Sequence, residues 1–302
     1  MAHKSHLPVI IVYQGPPRWD GTEWINGDKF FISGDKFNHR NLGVELANSI
    51  DGLEFPTREF RYDTDANTPG SRFVSSVATR RSLKCSVNIF GDSVEEMRKA
   101  KDRWFLNHPE GSPGRLWFFT NTGEHRYLSA YAAENAGSGI YDKDPGLRGV
   151  TTLEWGWTSD SPYFYGFREK KLLKPKGGGV YEGYFYNPST APQVFPEIFL
   201  PGFGQWELSL GYEQPTFRTP NLADGDVAKL DYDQKALSFT CKRKDGRIEN
   251  LWPSMVGNRP LYCLEPQTVN KVTIRNLNEV GNDRPKSKWP YLSFTPEYIS
   301  WT

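Results

Sequence analysis

Glu154 and Asp160 flank two tryptophans, Trp155 and Trp157. A carboxylate pair beside aromatic platforms suits glycoside hydrolysis, where one carboxyl protonates the leaving oxygen and the other attacks or activates water. The spacing argues against that reading. In an extended strand Trp155 and Trp157 share one face and Glu154 takes the other, so the tryptophans are expected in a core or interface and Glu154 in solvent. Trp206-Glu207 repeats the pairing once and is only a fragment of a sugar-binding constellation. The five histidines (His3, His6, His39, His108, His125) are scattered, with no two at i,i+4, so no metal site is expected. His108, beside Pro109, reads as a partner for carbonyls at a helix C-terminus.

Other chemistries leave no trace. There is no GxSxG elbow, HExxH, P-loop, or GxGxxG following a strand. Gly177-Gly178-Gly179 lacks the strand–turn–helix context of a phosphate cradle and reads as a hinge. Three cysteines (Cys85, Cys241, Cys263) lie far apart without a CxxC pair. They make neither a zinc site nor a disulfide framework, which points to synthesis in a reducing compartment. No catalytic centre and no cofactor are expected.

A basic cluster, Arg168, Lys170, Lys171, Lys174 and Lys176, follows Tyr163, Phe164 and Tyr165. Basic-plus-aromatic runs bind nucleic acid. Here 37 basic against 36 acidic residues leave a net charge of +1, so no global field attracts a polyanion or an anionic membrane. The cluster reads as a solvated connector or a surface for an acidic partner. Lys242-Arg243-Lys244 reads as a soluble hairpin tip.

The elements that must position these residues are mostly strands. The chain has 302 residues, enough for two domains, and 15% of them are aromatic. No apolar run reaches the roughly 18–20 residues of a membrane helix, and His6–Tyr13 reads as a strand rather than a leader. Alternation is clearest at Arg81–Ile89, with Leu83, Cys85, Val87 and Ile89 on one face. Asp92-Ser93-Val94-Glu95-Glu96 then opens a helix through Trp104-Phe105. Arg115–Thr120 and Glu124–Tyr131 form a hairpin, and the aromatic strand from Thr151 follows. Polar, turn-rich stretches at 63–72 and 136–146 predict long exposed loops. In the second half Asp245-Gly246 signals a hairpin, and short strands recur as in a sandwich. The fold class is mainly β in two domains. Boundaries fall at 1–173, a linker at 174–185, and 186–302.

Read in order, these pieces resemble the distal tail (Dit-like) protein family of long-tailed bacteriophages with non-contractile tails. Ile50-Asp51-Gly52-Leu53-Glu54-Phe55-Pro56 resembles an early loop of that family, and Arg81–Phe90 with Gly91-Asp92-Ser93 and Trp104-Phe105-Leu106-Asn107 resembles its central strand–helix unit. Leu153-Glu154-Trp155-Gly156-Trp157 with Ser161-Pro162-Tyr163-Phe164-Tyr165 resembles the closing strand of its belt domain. Tyr186-Asn187-Pro188-Ser189-Thr190-Ala191-Pro192 through Phe195-Pro196-Glu197-Ile198 is similar to the start of its galectin-like sandwich. Leu264–Asn270 is similar to a Pro-Gly-x-Asn turn there, with Gln267 where the family usually has glycine.

The resemblance implies an N-terminal belt domain, a β-sandwich with one α-helix and a hairpin, followed by a C-terminal galectin-like β-sandwich. It implies a non-enzymatic virion protein at the phage tail tip, synthesised in the host cytoplasm. Its partners would be further copies in a ring, usually of six, together with the tail tube, tape-measure and tail hub proteins. No membrane or sequence-specific nucleic-acid partner is implied. Assembly regions on this reading are Asp65, Arg72, Trp155, Trp157, Tyr163, Lys171 and Lys174. The alternative is a carbohydrate-binding module gripping a host-surface glycan through exposed aromatics such as Trp206, Tyr212 or Trp252. A fragment ending before Val180 is expected to fold alone.

Overall fold

The computed structural model describes residues 9–19, 21–34, 42–64, 70–120, 123–134, 136–140, 149–210, 216–233, 237–257, 262–279 and 284–301. The chain forms two units, Met1–Gly166 together with Tyr298–Thr302, and Phe167–Glu297. The second is therefore inserted into the first.

Unit 1 contains strands β1 (Ile10–Gln14), β2 (Lys29–Ser33), β3 (Val44–Leu46), β4 (Arg58–Asp63), β5 (Arg72–Ala78) and β6 (Arg81–Phe90). Helix α1 (Val94–Leu106) follows, then β7 (Gly114–Phe119), β8 (His125–Ala132), β9 (Ser138–Ile140) and β10 (Val150–Ser159). The main sheet runs β2-β1-β7-β8-β10-β6-β3. Its halves join at β8 and β10 through the pairs Tyr131–Thr158 and Ala132–Trp157. Both halves feed one core, with Leu116, Phe118 and Leu128 from one and Leu83, Val87, Ile89 and Leu153 from the other. The alternation in β6 and the expected 115–131 hairpin are present, Phe119 lying opposite His125. Part of the loop expected at 136–146 is strand β9, which pairs with β10, and residues 141–148 lie outside the described set.

Of the Asp92-Ser93 pair that opens α1 in the sequence, Ser93 is the cap. Its hydroxyl accepts from Glu96 N at 3.2 Å, and the Glu96 carboxylate accepts from Asp92 N at 3.0 Å. The buried face of α1 is Met97, Ala100 and Trp104. Trp104 has no exposure and packs edge-on against Phe30 and Trp155, at centroid distances of 5.0 and 5.2 Å. His108 does bond a helix carbonyl, but it also belongs to this core. Nδ1 lies 2.8 Å from Trp104 O, Nε2 lies 3.2 Å from the Trp157 indole N–H, and the ring stacks on Tyr13 at 4.0 Å. An indole can only donate and a carbonyl can only accept, so the proton sits on Nδ1 and the ring is neutral.

Arg81 is 1% exposed and bonds four main-chain carbonyls. Nε donates to Pro162 O at 2.9 Å, Nη1 to Gly52 O at 2.7 Å and Leu53 O at 2.9 Å, and Nη2 to Ile299 O at 2.6 Å. Its guanidinium lies 4.5 Å from the Phe164 ring centroid. Burial pulls its pKa down to about 10, still far above neutral pH, so the group stays charged. The residues beyond Glu297 thus complete unit 1, and a fragment ending before Val180 lacks them. That fragment is not the whole unit.

Unit 2 is a sandwich of two antiparallel sheets. Its strands are β11 (Glu169–Leu172), β12 (Lys174–Gly177), β13 (Val180–Tyr186), β14 (Glu197–Pro201), β15 (Trp206–Leu210) and β16 (Phe217–Arg218). They continue as β17 (Val227–Asp231), β18 (Ser238–Lys242), β19 (Ile248–Asn250), β20 (Val256–Gly257), β21 (Val269–Asn276) and β22 (Tyr291–Phe294). The two six-stranded orders are β11-β22-β14-β17-β18-β19 and β12-β13-β21-β15-β16-β20. Both sheets line one core, which includes Tyr181, Trp206 and Ile274 from the second and Leu230, Phe239 and Leu292 from the first.

The expected linker at 174–185 is strand. Lys174–Gly177 pairs with Val180–Tyr186, and Gly177 opposite Val180 closes a two-residue turn. Gly178 and Gly179 have φ of 57° and 74°, the positive pair that a type I′ turn demands. Composition marks this run as a solvated connector, yet Tyr181 and Phe185 alternate into the core. The seam lies at Gly166 instead of 173. At the Asp245-Gly246 hairpin, Arg243 is more than a soluble turn residue. It bonds Asp226 at 2.7 Å and Glu249 at 2.7 Å.

Burial also pushes the His108 pKa down to about 3. An unfolded chain binds that proton below about 6.5 while the folded one does not, so stability falls as pH drops from 6.5 toward 3. The slope from this one group is about 1.4 kcal/mol per pH unit. His108→Gln, which cannot titrate there, is expected to lower stability at pH 7 and to flatten this slope in urea unfolding between pH 7 and 4. An unchanged slope would refute the assignment.

Candidate assembly surface

Among the described residues, strands β4 and β5 form a ribbon that pairs only with itself. Its register sets Arg58 opposite Ala78, Phe60 opposite Ser76, Tyr62 opposite Phe73 and Asp63 opposite Arg72. A shift between Arg61 and Tyr62 leaves Val74 as the extra residue of a bulge. Directly opposed residues share a face, so Phe60, Tyr62 and Phe73 gather on one side and Glu59, Arg61, Asp63 and Arg72 on the other. The aromatic side is bare. Phe60, Tyr62 and Phe73 are 56, 57 and 54% exposed, with ring centroids 6.0–6.5 Å apart.

The base of the ribbon is closed firmly. Thr79 donates from both N and Oγ1 to Thr57 O, at 2.9 and 3.1 Å. Arg81 then ties Gly52 and Leu53, which lead into the ribbon, to the residue that leads out. A second short ribbon, Arg18–Trp19 with Trp24–Ile25, presents Trp19 and Trp24, the latter 71% exposed, with rings 6.0 Å apart.

The seven expected assembly residues divide between the two units. Asp65 lies outside the described residues, and Arg72 is exposed at the far end of the ribbon, where strand replaces the ends of the loop expected at 63–72. Trp155 and Trp157 are 4 and 1% exposed and belong to the core of unit 1. Tyr163 is partly buried, its N–H donating to Ser161 Oγ at 3.1 Å. In unit 2, Lys171 pairs with Glu169 at 2.7 Å and Lys174 sits exposed opposite Glu182. The bare rings Phe60, Tyr62 and Phe73 are not among the seven. Arg58–Asp63 does alternate apolar with charged residues, but alternation reads as a half-buried strand and does not say that the burying partner is absent.

Glu154 and Asp160 line one groove of about 680 Å³ on the outer side of β6 and β10, together with Lys84 and Tyr131. Trp155 also borders this groove but is only 4% exposed, and Trp157 is 1% exposed, so neither offers an open ring face beside those carboxylates. Trp206, offered as a sugar platform, has no exposure and donates its indole N–H to Pro201 O at 3.1 Å. Trp252 is partly buried against Phe239, and Tyr212 lies outside the described residues. His3, His6 and His39 also lie outside them. Among the described residues no group of three or more His, Cys, Asp or Glu is placed to hold a metal ion, and no helix is long and apolar enough to cross a membrane.

No family model and no curated protein matches the sequence. Solved structures do match. The crystal structure of SPP1 Dit (gp 19.1), described as a paradigm of the hub adsorption apparatus in phages infecting Gram-positive hosts, aligns with a TM-score of 0.61. The alignment covers 85% of this chain and 94% of that one, at 11% identity. The chain has a Dit-like fold. Baseplate structures of phage P2 in its activated conformation, with Ca and with Sr, align at a TM-score of 0.48 and 11% identity. Those alignments cover 95% of this chain and 98 and 97% of those chains.

Because the bare aromatic face of the Dit-like unit supports no core, its removal should cost little. The triple variant Phe60→Ser, Tyr62→Ser, Phe73→Ser, compared with the parent at a dilution where both are monomeric, is expected to shift the melting midpoint by no more than about 6 °C, since surface substitutions stay near ±0.5 kcal/mol each. Calorimetry showing a loss of 10 °C would place these rings in an internal core.

Proposed function

We propose that the chain is a structural, non-enzymatic virion protein of a phage tail. Copies of unit 1 close into a ring, taken as six, that joins the tail tube to the tail-tip hub, with the tape-measure protein as a further neighbour. Unit 2 is then the galectin-like sandwich of that arrangement. The fold shared with SPP1 Dit supports the class of protein. The observation that carries the ring is the self-paired ribbon with one bare aromatic face.

An isolated two-stranded ribbon is marginal in water, and neither edge of this one is paired with another described strand. Three half-exposed rings supply roughly 300 Å² of contact. A stable interface needs about 800 Å² per partner. The rings alone are therefore too small a contact, and edge pairing with the sheet of a neighbouring copy supplies the rest. Cyclic closure suits such a head-to-tail contact.

Native mass spectrometry of the purified protein at micromolar concentration is expected to show a closed oligomer, which the triple serine variant reduces to monomer. A ring that persists in the variant would move the interface elsewhere, and a wild-type protein that is monomeric throughout would overturn the ring.

A further inference from the structure

Four consecutive residues, Tyr298–Trp301, are each gripped by a group more than 170 positions earlier in the same unit. Arg126, 6% exposed, stacks on Tyr298 at 4.0 Å from the ring centroid and donates to Ser300 O at 2.6 Å. Arg81 donates to Ile299 O. The Glu54 carboxylate accepts from Ser300 Oγ at 2.9 Å and from Trp301 Nε1 at 3.0 Å. The Trp301 ring packs on the core with its centroid 6.0 Å from that of Phe118.

We infer that unit 1 contains a peptide-binding cleft, built by Glu54, Arg81, Arg126 and Phe118, whose ligand is a Tyr-Ile-Ser-Trp segment supplied by this chain. Emptying it leaves two buried guanidiniums each short of one acceptor, and a buried unsatisfied donor is the costly case. The polar grips are specific in register. A shift by one residue in either direction would bring Glu297 or Ile299, neither of them aromatic, to the place over Arg126 that the Tyr298 ring fills.

The order of the chain gives the cleft a role. Unit 2 is a contiguous stretch, Phe167–Glu297, and the segment that fills the cleft comes after it. At synthesis rates of roughly 5–20 residues per second, residues up to Gly166 wait on the order of ten seconds for their last partner. Unit 2 closes first and unit 1 second. Arg81 also ties the two feet of the β4–β5 ribbon, so that ribbon gains its footing only when the segment arrives. This order does not depend on the ring.

Hydrogen exchange on the full chain reads it. Trp301→Ala is expected to cut protection of the β6 amides at least tenfold while leaving β17 and β18 of unit 2 unchanged. In a chain stopped after Glu297, the same loss should be reversed by adding a synthetic peptide of residues 298–302. Alanine at Trp301 within that peptide should weaken its binding at least tenfold. Unchanged β6 protection in Trp301→Ala, equal losses in both units, or a shortened chain that folds but ignores the peptide would each overturn the inference. If the shortened chain does not fold, the full-length variant alone decides.

Discussion

Unit 1 is organised around one charged group with no water to turn to. A guanidinium carries five N–H donors and cannot give up its charge at neutral pH. Placed where Arg81 is, it must find acceptors or destabilise everything near it. It finds them in main-chain carbonyls at Gly52, Leu53, Pro162 and Ile299, which lie on three stretches that the order of the chain keeps far apart. Fixing one side chain therefore fixes where the ribbon begins, where the chain turns after β10, and where the segment beyond Glu297 lies. Hydrophobic burial drives the collapse of this unit. The arginine selects among collapsed arrangements, because few of them bring four carbonyls to one point.

The tryptophans show the complementary case. Trp104, Trp155 and Trp157 meet around His108, and their packing is largely apolar. Trp157 alone finds an acceptor, the imidazole, while the indole N–H groups of Trp104 and Trp155 have none. A core this aromatic tolerates two orphaned donors because ring area dominates the balance: each buried ring removes on the order of 150–250 Å² from water, against roughly 1–3 kcal/mol for an unmade bond.

Local signals were legible in the sequence and long-range ones were not. Alternation located β6, the Ser93 cap located α1, and Asp245-Gly246 located its hairpin, since each depends on residues within one turn or strand. The order of elements was enough to suggest the Dit-like fold. The run Lys174–Gly179 misled because glycine and lysine mark a connector and a tight turn equally well; only the register with Val180 distinguishes them. Trp206 misled because an aromatic beside an acid says nothing about which side of a sheet it takes. The insertion of unit 2 could not be read at all. Nothing in Tyr298–Trp301 announces that its partners lie before residue 127.

Gln267 holds φ at 56° where the family that this chain resembles usually has glycine. The left-handed conformation costs a side-chain-bearing residue about 1 kcal/mol. Its amide donates to Pro188 O and Ser189 O at 2.7 and 3.0 Å, and its carbonyl accepts from Tyr186 OH. A glycine would relax the turn and release those three contacts together. Positions 186 and 267 are therefore epistatic: replacements neutral one at a time in a glycine-bearing relative need not be neutral here. Glycine at 267 alone would therefore loosen the stretch that follows β13, and the turn is held by a side chain where a bare backbone would leave it free.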